Sequence, residues 1–353
     1  MKTLDRLALS ALYTLPPETA HHAALFALEH GLVGARPEPN DPILATDVLG
    51  LRFANPIGMA AGFDKDARVV DAMLSVGFGF TEAGTVTPRP QPGNPKPRLF
   101  RLSEDDAVIN RLGFNSGGVD AFARRLAARP RKGIVGANVG KNKETEDGAA
   151  DYVAGIEKVA NLADYLVCNI SSPNTPGLRA MQMRAPIEDL LKRVLAARDR
   201  VMAGKKKPPL LAKVGPDLTS EQMRDIAEVA LATGIDGLII GNTTIDRPAS
   251  LKSRDQKEAG GLSGAPLLAP ATACLAEIYR LTGGRITLIG CGGVASGADA
   301  YAKIRAGASL VQVYSALVFQ GTSLANRIKR ELAACLRKDG FSRVADAVGS
   351  GQR

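Results

Sequence analysis

The chain has 353 residues, 45% hydrophobic and 23% charged, so it can bury a substantial core and is not a disordered polymer. Its formal net charge of +9 suits nucleic acid, an anionic membrane surface or anionic ligands. No segment interleaves aromatic with basic residues, and the Lys205–Lys206–Lys207 run reads as a solvated loop before Pro208–Pro209, so no nucleic-acid partner is expected.

Leu4, Leu7, Ala8, Ala11 and Leu12 recur at helical spacing and predict a helix over 3–14, stopped by Pro16–Pro17. A second helix is expected over 18–31, with Leu25, Leu28 and Leu32 on one stripe and Gly31 near its end. Residues 34–42, rich in Pro and Gly, read as a linker. No segment reaches the roughly 18–20 apolar residues of a bilayer span. The N-terminus has no long apolar region ending at a small-residue cleavage site, so no secretory signal is expected.

Beyond the linker, short apolar, β-branched runs alternate with helical segments. The runs fall at 57–61, 79–85, 134–139, 165–170, 210–214, 237–241, 286–290 and 309–314. Amphipathic helices are expected between them, for example over 119–128, 151–160, 186–202, 220–233, 297–306 and 322–337. Eight such alternations predict an α/β fold, a (β/α)8 TIM barrel with an N-terminal two-helix extension. An open doubly wound sheet has the same alternation, since strand order is not visible in a sequence. The division expected is 1–42 as extension and linker and 43–353 as barrel. The stretch 86–132 is too long for an ordinary βα loop and predicts extra strands over the barrel mouth.

The four cysteines (168, 274, 291 and 335) contain no CxxC pair, which argues against a disulfide framework or a zinc site; no metal is expected. The three histidines lie at 21, 22 and 30. The barrel body therefore has no histidine for a triad or a general base, unless the N-terminal segment folds into the site.

Barrel enzymes place their chemistry at the C-terminal ends of the strands. In chain order those positions carry Gly62–Phe63–Asp64–Lys65, Gly84–Thr85, Asn138, Asn169 with Ser171–Ser172, Lys213, Asn242–Thr243, Gly292–Gly293 and Tyr314–Ser315. Gly290 to Ala295 partly fits a dinucleotide fingerprint, but the next strand, SLVQVYS, lacks the acidic residue that a nicotinamide cofactor needs. Gly261, Gly264, Gly292 and Gly293 fit a barrel phosphate site better, with backbone N–H groups close to a phosphorylated cofactor such as FMN. Lys213, inside an apolar strand, suits either charge stabilisation on a reduced flavin or a Schiff base. Ser172, held extended by Pro173, is a poor base without a histidine, yet it can relay a proton from an activated acid.

Together these residues resemble the dihydroorotate dehydrogenase family. The matching stretches are NPIGMAAGFDKD (55–66), EAGTVTPRPQPGNPKPRLFRL (82–102), INRLGFNSGG (109–118), NISSPNTPGLR (169–179), KVGPDL (213–218), GNTT (241–244), GGLSGAPL (260–267) and GCGGV (290–294). Ser172 stands where the family's soluble branch has cysteine, and 3–32 with its PETAH stretch (17–21) resembles the paired helices of the quinone-dependent class 2 branch. The resemblance implies oxidation of (S)-dihydroorotate to orotate in pyrimidine (UMP) biosynthesis. In that scheme Ser172 accepts the C5 proton, a hydride passes from C6 to FMN, and the flavin is reoxidised by ubiquinone.

It also implies residue roles. Lys65, Asn110, Arg111, Leu112, Gly113, Phe114, Asn169, Asn174, Asn242 and Thr243 would hold the substrate. Ala61, Gly62, Phe63, Asp64, Lys65, Thr85, Asn138, Asn169, Lys213, Gly241, Gly264, Gly292, Gly293, Tyr314 and Ser315 would hold one FMN. His21, Arg101 and Tyr314 would line the quinone path. Position 241 departs from the family, which often has a hydroxyl residue there; Gly241 leaves only a backbone contact to FMN. Residues 3–32 would rest on the membrane, placing a monomer on the cytoplasmic face of the cell membrane. The competing readings are a fumarate- or NAD-linked dihydroorotate dehydrogenase and a Schiff-base aldolase or lyase using Lys213.

Overall fold

The computed structural model describes residues 9–33 and 36–352. Eight parallel strands close a barrel in chain order: β3 (Ile57–Met59), β4 (Phe80–Val86), β7 (Ile134–Val139), β8 (Tyr165–Asn169), β9 (Leu210–Val214), β10 (Gly237–Ile240), β12 (Thr287–Cys291) and β13 (Leu310–Val313). Pairing of Val311 with Ile57 and Val313 with Met59 seals the last strand to the first, which rules out the open sheet. The expected runs differ from these strands by no more than two residues at either end.

The barrel interior is a packed core, as the alternation of inward positions requires. Phe80, Tyr165, Val167, Leu211, Ile239, Ile289 and Leu310 fill it. A short hairpin, β1 (Thr46–Val48) with β2 (Leu51–Phe53), delivers Phe53 into the same cluster, its ring 5.4 Å from that of Phe80 and nearly perpendicular to it. Burying each such side chain fully is worth roughly 1.5–3 kcal/mol.

Helices cover the outside, and local sequence sets their ends. Ser220–Thr233 begins in a capping box, Thr219 with Gln222, and ends at Gly234 in the left-handed region. Val119–Ala128, Gly148–Val159, Arg184–Val201, Gly297–Arg305 and Leu324–Lys338 lie where the periodicity places them. Leu268–Thr282 was not singled out, because Pro270 and the glycines before it mask its start.

Over the barrel mouth lies a three-stranded antiparallel sheet in the order β11–β6–β5, made of β5 (Leu99–Leu102), β6 (Ala107–Asn110) and β11 (Gly261–Gly264). The first two strands are the predicted excursion. The third is a correction: GGLSG reads as a glycine loop, yet it pairs with β6, Gly261 opposite Asn110 and Gly264 opposite Ala107.

At the N-terminus residues 9–13 are helical, and residues 3–8 of the expected first helix lie outside the described residues. The second helix is Pro17–Glu29, two residues shorter at its end than expected. Leu25 and Leu28 are buried, whereas Leu32 lies past the helix and is exposed, so the apolar stripe stops at Leu28. Residues 36–41 run along Leu324–Lys338, with Asn326 donating to the Arg36 carbonyl at 2.8 Å and Arg337 paired with Asp41 at 2.6 Å. Among the described residues no helix is long and apolar enough to cross a membrane.

Candidate active site

The barrel mouth, the overlying sheet and the N-terminal helix enclose a cavity of about 660 Å³. That is ample for a cofactor and a small substrate together. Successive strand ends and the loops after them bring Ala61, Gly62, Phe63 and Lys65, then Thr85, Asn169, Ser172 and Asn174, to its wall. Lys213, Asn242, Thr243, Gly292, Gly293, Tyr314 and Ser315 follow from the later strands. The overlying sheet adds Arg101, Asn110, Leu112, Phe114 and Gly264, and the N-terminal helix adds His21.

Five expected residues do not line this cavity. Asp64 is buried beside it and accepts the backbone N–H groups of Arg68 and Val69, capping the turn into the next helix. Asn138 lies one layer deeper, bonded to Thr85 and Glu82. Arg111 points outward, pairs with Glu258 at 2.7 Å and covers the Phe100 ring. Gly113 makes a tight turn against Asn94. Gly241 has a φ of +116°, and a Cβ there would stand 2.2 Å from the Cys291 carbonyl oxygen, so this backbone admits only glycine.

Ser172 is buried on the loop after β8, and its hydroxyl oxygen accepts the Asn174 N–H at 3.2 Å. Asn174 in turn donates to the Asn110 carbonyl at 3.0 Å, tying the loop to the overlying sheet. Arg179 clamps the loop from below, donating to Asp217 at 2.9 Å and to the Thr243 carbonyl at 3.0 Å. No histidine approaches Ser172 through any hydrogen bond among the described residues.

Two amines supply the positive charge. Lys65 does not pair with Asp64 or Asp66; it donates to the Asn115 side-chain oxygen. Burial, and then the Arg98 charge, press its pKa down to about 7, which poises the amine between charged and neutral near physiological pH. Lys213 is buried and has no hydrogen bond or ion pair among the described residues. Its side chain lines the cavity, where an anionic ligand would pair with the amine.

The amides of Gly293, Val294 and Ser315 donate to no acceptor among the described residues. At Gly293 a Cβ would lie 2.3 Å from the Leu268 nitrogen, so glycine is needed where this turn presses on the neighbouring helix. Free N–H groups at helix starts make an anion cradle. The Thr243 hydroxyl is likewise buried without a partner.

Away from the rim the wall becomes apolar, with Leu9, Leu12, Ala20, Ala24, Leu28 and Phe319. His21 stacks edge-on against Phe63 at 5.3 Å, and Phe63 against Tyr314 at 5.9 Å. Burial, reinforced by the Lys65 charge, lowers the His21 pKa to about 3, so the imidazole is neutral at physiological pH. Arg101 donates to the Tyr13 carbonyl at 3.0 Å and lies over the Tyr13 ring.

The sequence marked Ser171 only as a rim position and left Glu82, Tyr165 and Gln312 without a role. Ser171 joins Asn242 to Asn169 by two bonds of 2.6 Å. Glu82 was the one available signal, a carboxylate in the middle of an apolar barrel strand.

A family model described as dihydroorotate dehydrogenase matches residues 43–336. The chain is 61% identical over 340 residues to the dihydroorotate dehydrogenase (quinone) of Xanthobacter autotrophicus, covering 95% of each. It is 59% identical over 349 residues to that of Rhodospirillum rubrum, covering 99% of this chain and 95% of the relative. The crystal structure of DHODH from Eimeria tenella in complex with ferulenol superposes with a TM-score of 0.91 at 43% identity, over 97% of this chain and 99% of that one.

Proposed function

The chain belongs to the dihydroorotate dehydrogenase family, in its quinone-dependent class, and on that premise we propose that it oxidises dihydroorotate to orotate in pyrimidine biosynthesis, using bound FMN and passing the electrons to ubiquinone. The convergence of Ser172, Lys65, Asn110, Asn174 and Asn242 on one end of a cavity whose other end is apolar carries this reading.

The residues present fit FMN. The free amides of Gly293, Val294 and Ser315, with the close turn at Gly264, suit its phosphate. Lys213, Thr85 and Asn169 suit the polar edge of its ring. FMN, when bound, supplies the hydride acceptor and hands the electrons on to the quinone.

The chain's own residues do the rest. Lys65 binds the substrate carboxylate, and the anion draws its amine back to the charged form. Asn110, Asn174, Asn242 and Thr243 hold the pyrimidine edge, their fixed amides matching carbonyl and N–H positions. Ser172 takes the C5 proton at its hydroxyl oxygen and passes its own hydroxyl proton on to water as the C6–H bond breaks, which spares the serine from deprotonating an unactivated acid. The overlying sheet and the loop after β8 exclude bulk water.

The apolar arm past Phe63 takes the quinone, with the uncharged His21 and Arg101 at its wall. Phe26 and Leu32 are exposed, 54% and 69%, beside that arm, which suits a segment resting on a lipid surface. The reading places the protein peripherally on the cytoplasmic face of the cell membrane.

Anaerobic dihydroorotate should bleach the purified yellow protein, and ubiquinone should restore the colour. Restoration by fumarate or NAD alone would refute the quinone assignment. A colourless chain that FMN cannot reconstitute would refute the cofactor and favour Schiff-base chemistry at Lys213.

A further inference from the structure

Glu82 is almost fully buried in the barrel, on β4, and does not line the cavity. A carboxylate in such a place must be satisfied by donors. Asn138 Nδ2 donates to one oxygen at 2.7 Å. Tyr165 donates to the other at 3.1 Å and Gln312 Nε2 at 2.5 Å. Burial first, and then the Glu82 charge, hold the Tyr165 hydroxyl protonated and thus a donor.

A carboxylate only accepts, and that fixes the direction of everything bonded to it. Asn138 must turn its nitrogen to Glu82, so its oxygen faces Thr85 and accepts that hydroxyl at 2.6 Å. The Thr85 oxygen, having donated its only proton, accepts Asn169 Nδ2 at 2.7 Å. Asn169 Oδ1 then accepts the Ser171 hydroxyl at 2.6 Å, and the Ser171 oxygen accepts Asn242 Nδ2 at 2.6 Å. Every donor in the series Asn242, Ser171, Asn169, Thr85, Asn138 points toward Glu82.

We infer that Glu82 is a positioning residue: its buried carboxylate roots a one-way chain of hydrogen bonds that sets which atom each cavity amide presents to the substrate. Both asparagines of the chain that reach the cavity wall have their oxygens engaged, Asn169 by Ser171 and Asn242 by the Thr243 N–H at 2.9 Å. Each keeps one N–H to offer, so the wall selects a planar ligand rich in carbonyl and carboxylate oxygens. Gln312 completes the pattern in the opposite sense. Its nitrogen is held by Glu82, and its buried oxygen, on a side chain that lines the cavity, has no partner and is left for a ring N–H.

Replacing the carboxylate by an amide removes the fixed direction, because an amide both donates and accepts. Gln312 can then reverse, or Asn138 and Thr85 can, against the backbone N–H groups of Ser171 and Thr243 that still hold Asn169 and Asn242, and the wrong atom is turned to the ligand. The inference rests on the functional reading above, and the test separates the two. Orotate is titrated into FMN-loaded wild type, Glu82→Gln and Tyr165→Phe, following the visible spectrum, with flavin retention and Tm measured alongside. Glu82→Gln should keep its flavin and lose orotate affinity at least tenfold. Tyr165→Phe removes one donor without touching the direction of the chain, and should bind orotate within twofold of wild type even with a lower Tm. Should Glu82→Gln not fold, Asn138→Leu, which cuts the chain one link above the root, carries the same expectation. Wild-type affinity in the direction-breaking variant, or affinity losses that merely follow Tm in both variants, would overturn the inference. A wild type that holds no flavin, or whose spectrum ignores orotate, would overturn the functional reading first and this inference with it.

Discussion

The two ends of the cavity are built differently. At the rim most polar side chains sit at or near the end of a strand whose register is set by backbone pairing on both sides, and the loop carrying Ser172 and Asn174 is tied down through Asn110 and Arg179. At the apolar end the wall comes from a short helix, Pro17–Glu29, and from residues 9–13, held to the barrel largely through side chains. Arg98, itself buried, pairs with Glu18 at 2.7 Å while donating to the carbonyls of Pro92 and Asn94. Burial works to raise the Glu18 carboxyl, but Arg98 and Lys96 overcome it and hold it below the usual range. Strand-borne groups share the protection of the paired barrel, whereas a clamped helix can open as a unit. Chemistry that demands fixed angles belongs at the first end, and a site for a long apolar molecule belongs at the second.

That contrast can be broken at either end. The largest effect is expected from Ser172→Ala, which should slow flavin reduction by dihydroorotate about 10²–10⁴-fold, the usual worth of a positioned base. Reoxidation by quinone should be unchanged, and rapid-mixing of each half-reaction checks both.

Lys65→Ala comes next. A charge-assisted bond worth about 1.5–3 kcal/mol predicts roughly 10–150-fold weaker orotate binding. The wild type carries its own signature. Binding an anion favours the charged amine, and the free amine has a pKa of about 7. Below that pH the proton is already present and affinity is flat. Above it binding must recruit a proton, so affinity falls by up to about tenfold per pH unit until the pKa of the complex is reached. Titrations between neutral and alkaline pH check this, and Lys65→Ala should abolish the slope.

A smaller effect is expected from Arg98→Met, which cuts the clamp on the N-terminal helix. Loss of a partly buried pair should speed hydrogen exchange over residues 17–29 while leaving the barrel strands protected. Equal loosening of both would show that the two ends are not separate units.

The rim was largely legible in the sequence and its wiring was not. Eight apolar runs followed by amides, hydroxyls and two lysines announce a barrel and its mouth, because strand alternation is a local property. β11 escaped because glycines that read as a loop become a strand only through pairing with β6, far away in the chain. Asn138 was expected to touch a ligand because it ends a strand; packing places it one layer down, where it serves Thr85 instead. Glu82 and Gln312 lie 230 positions apart, and no local pattern could join them. The arm was legible as amphipathic helix, but the ion pair that seats it spans 80 positions and emerges only in the fold.

The central claim is that one cavity serves two half-reactions through two separable walls, and a bulky residue in the arm tests it most directly. Ala24 lines the apolar end on Pro17–Glu29. In rapid-mixing experiments Ala24→Trp should reduce with dihydroorotate at the wild-type rate and reoxidise with ubiquinone about tenfold more slowly, as expected when added bulk costs the quinone ~1.4 kcal/mol of its fit in the pocket. Slowing of the dihydroorotate step to the same degree, or unimpeded quinone reduction, would contradict the account.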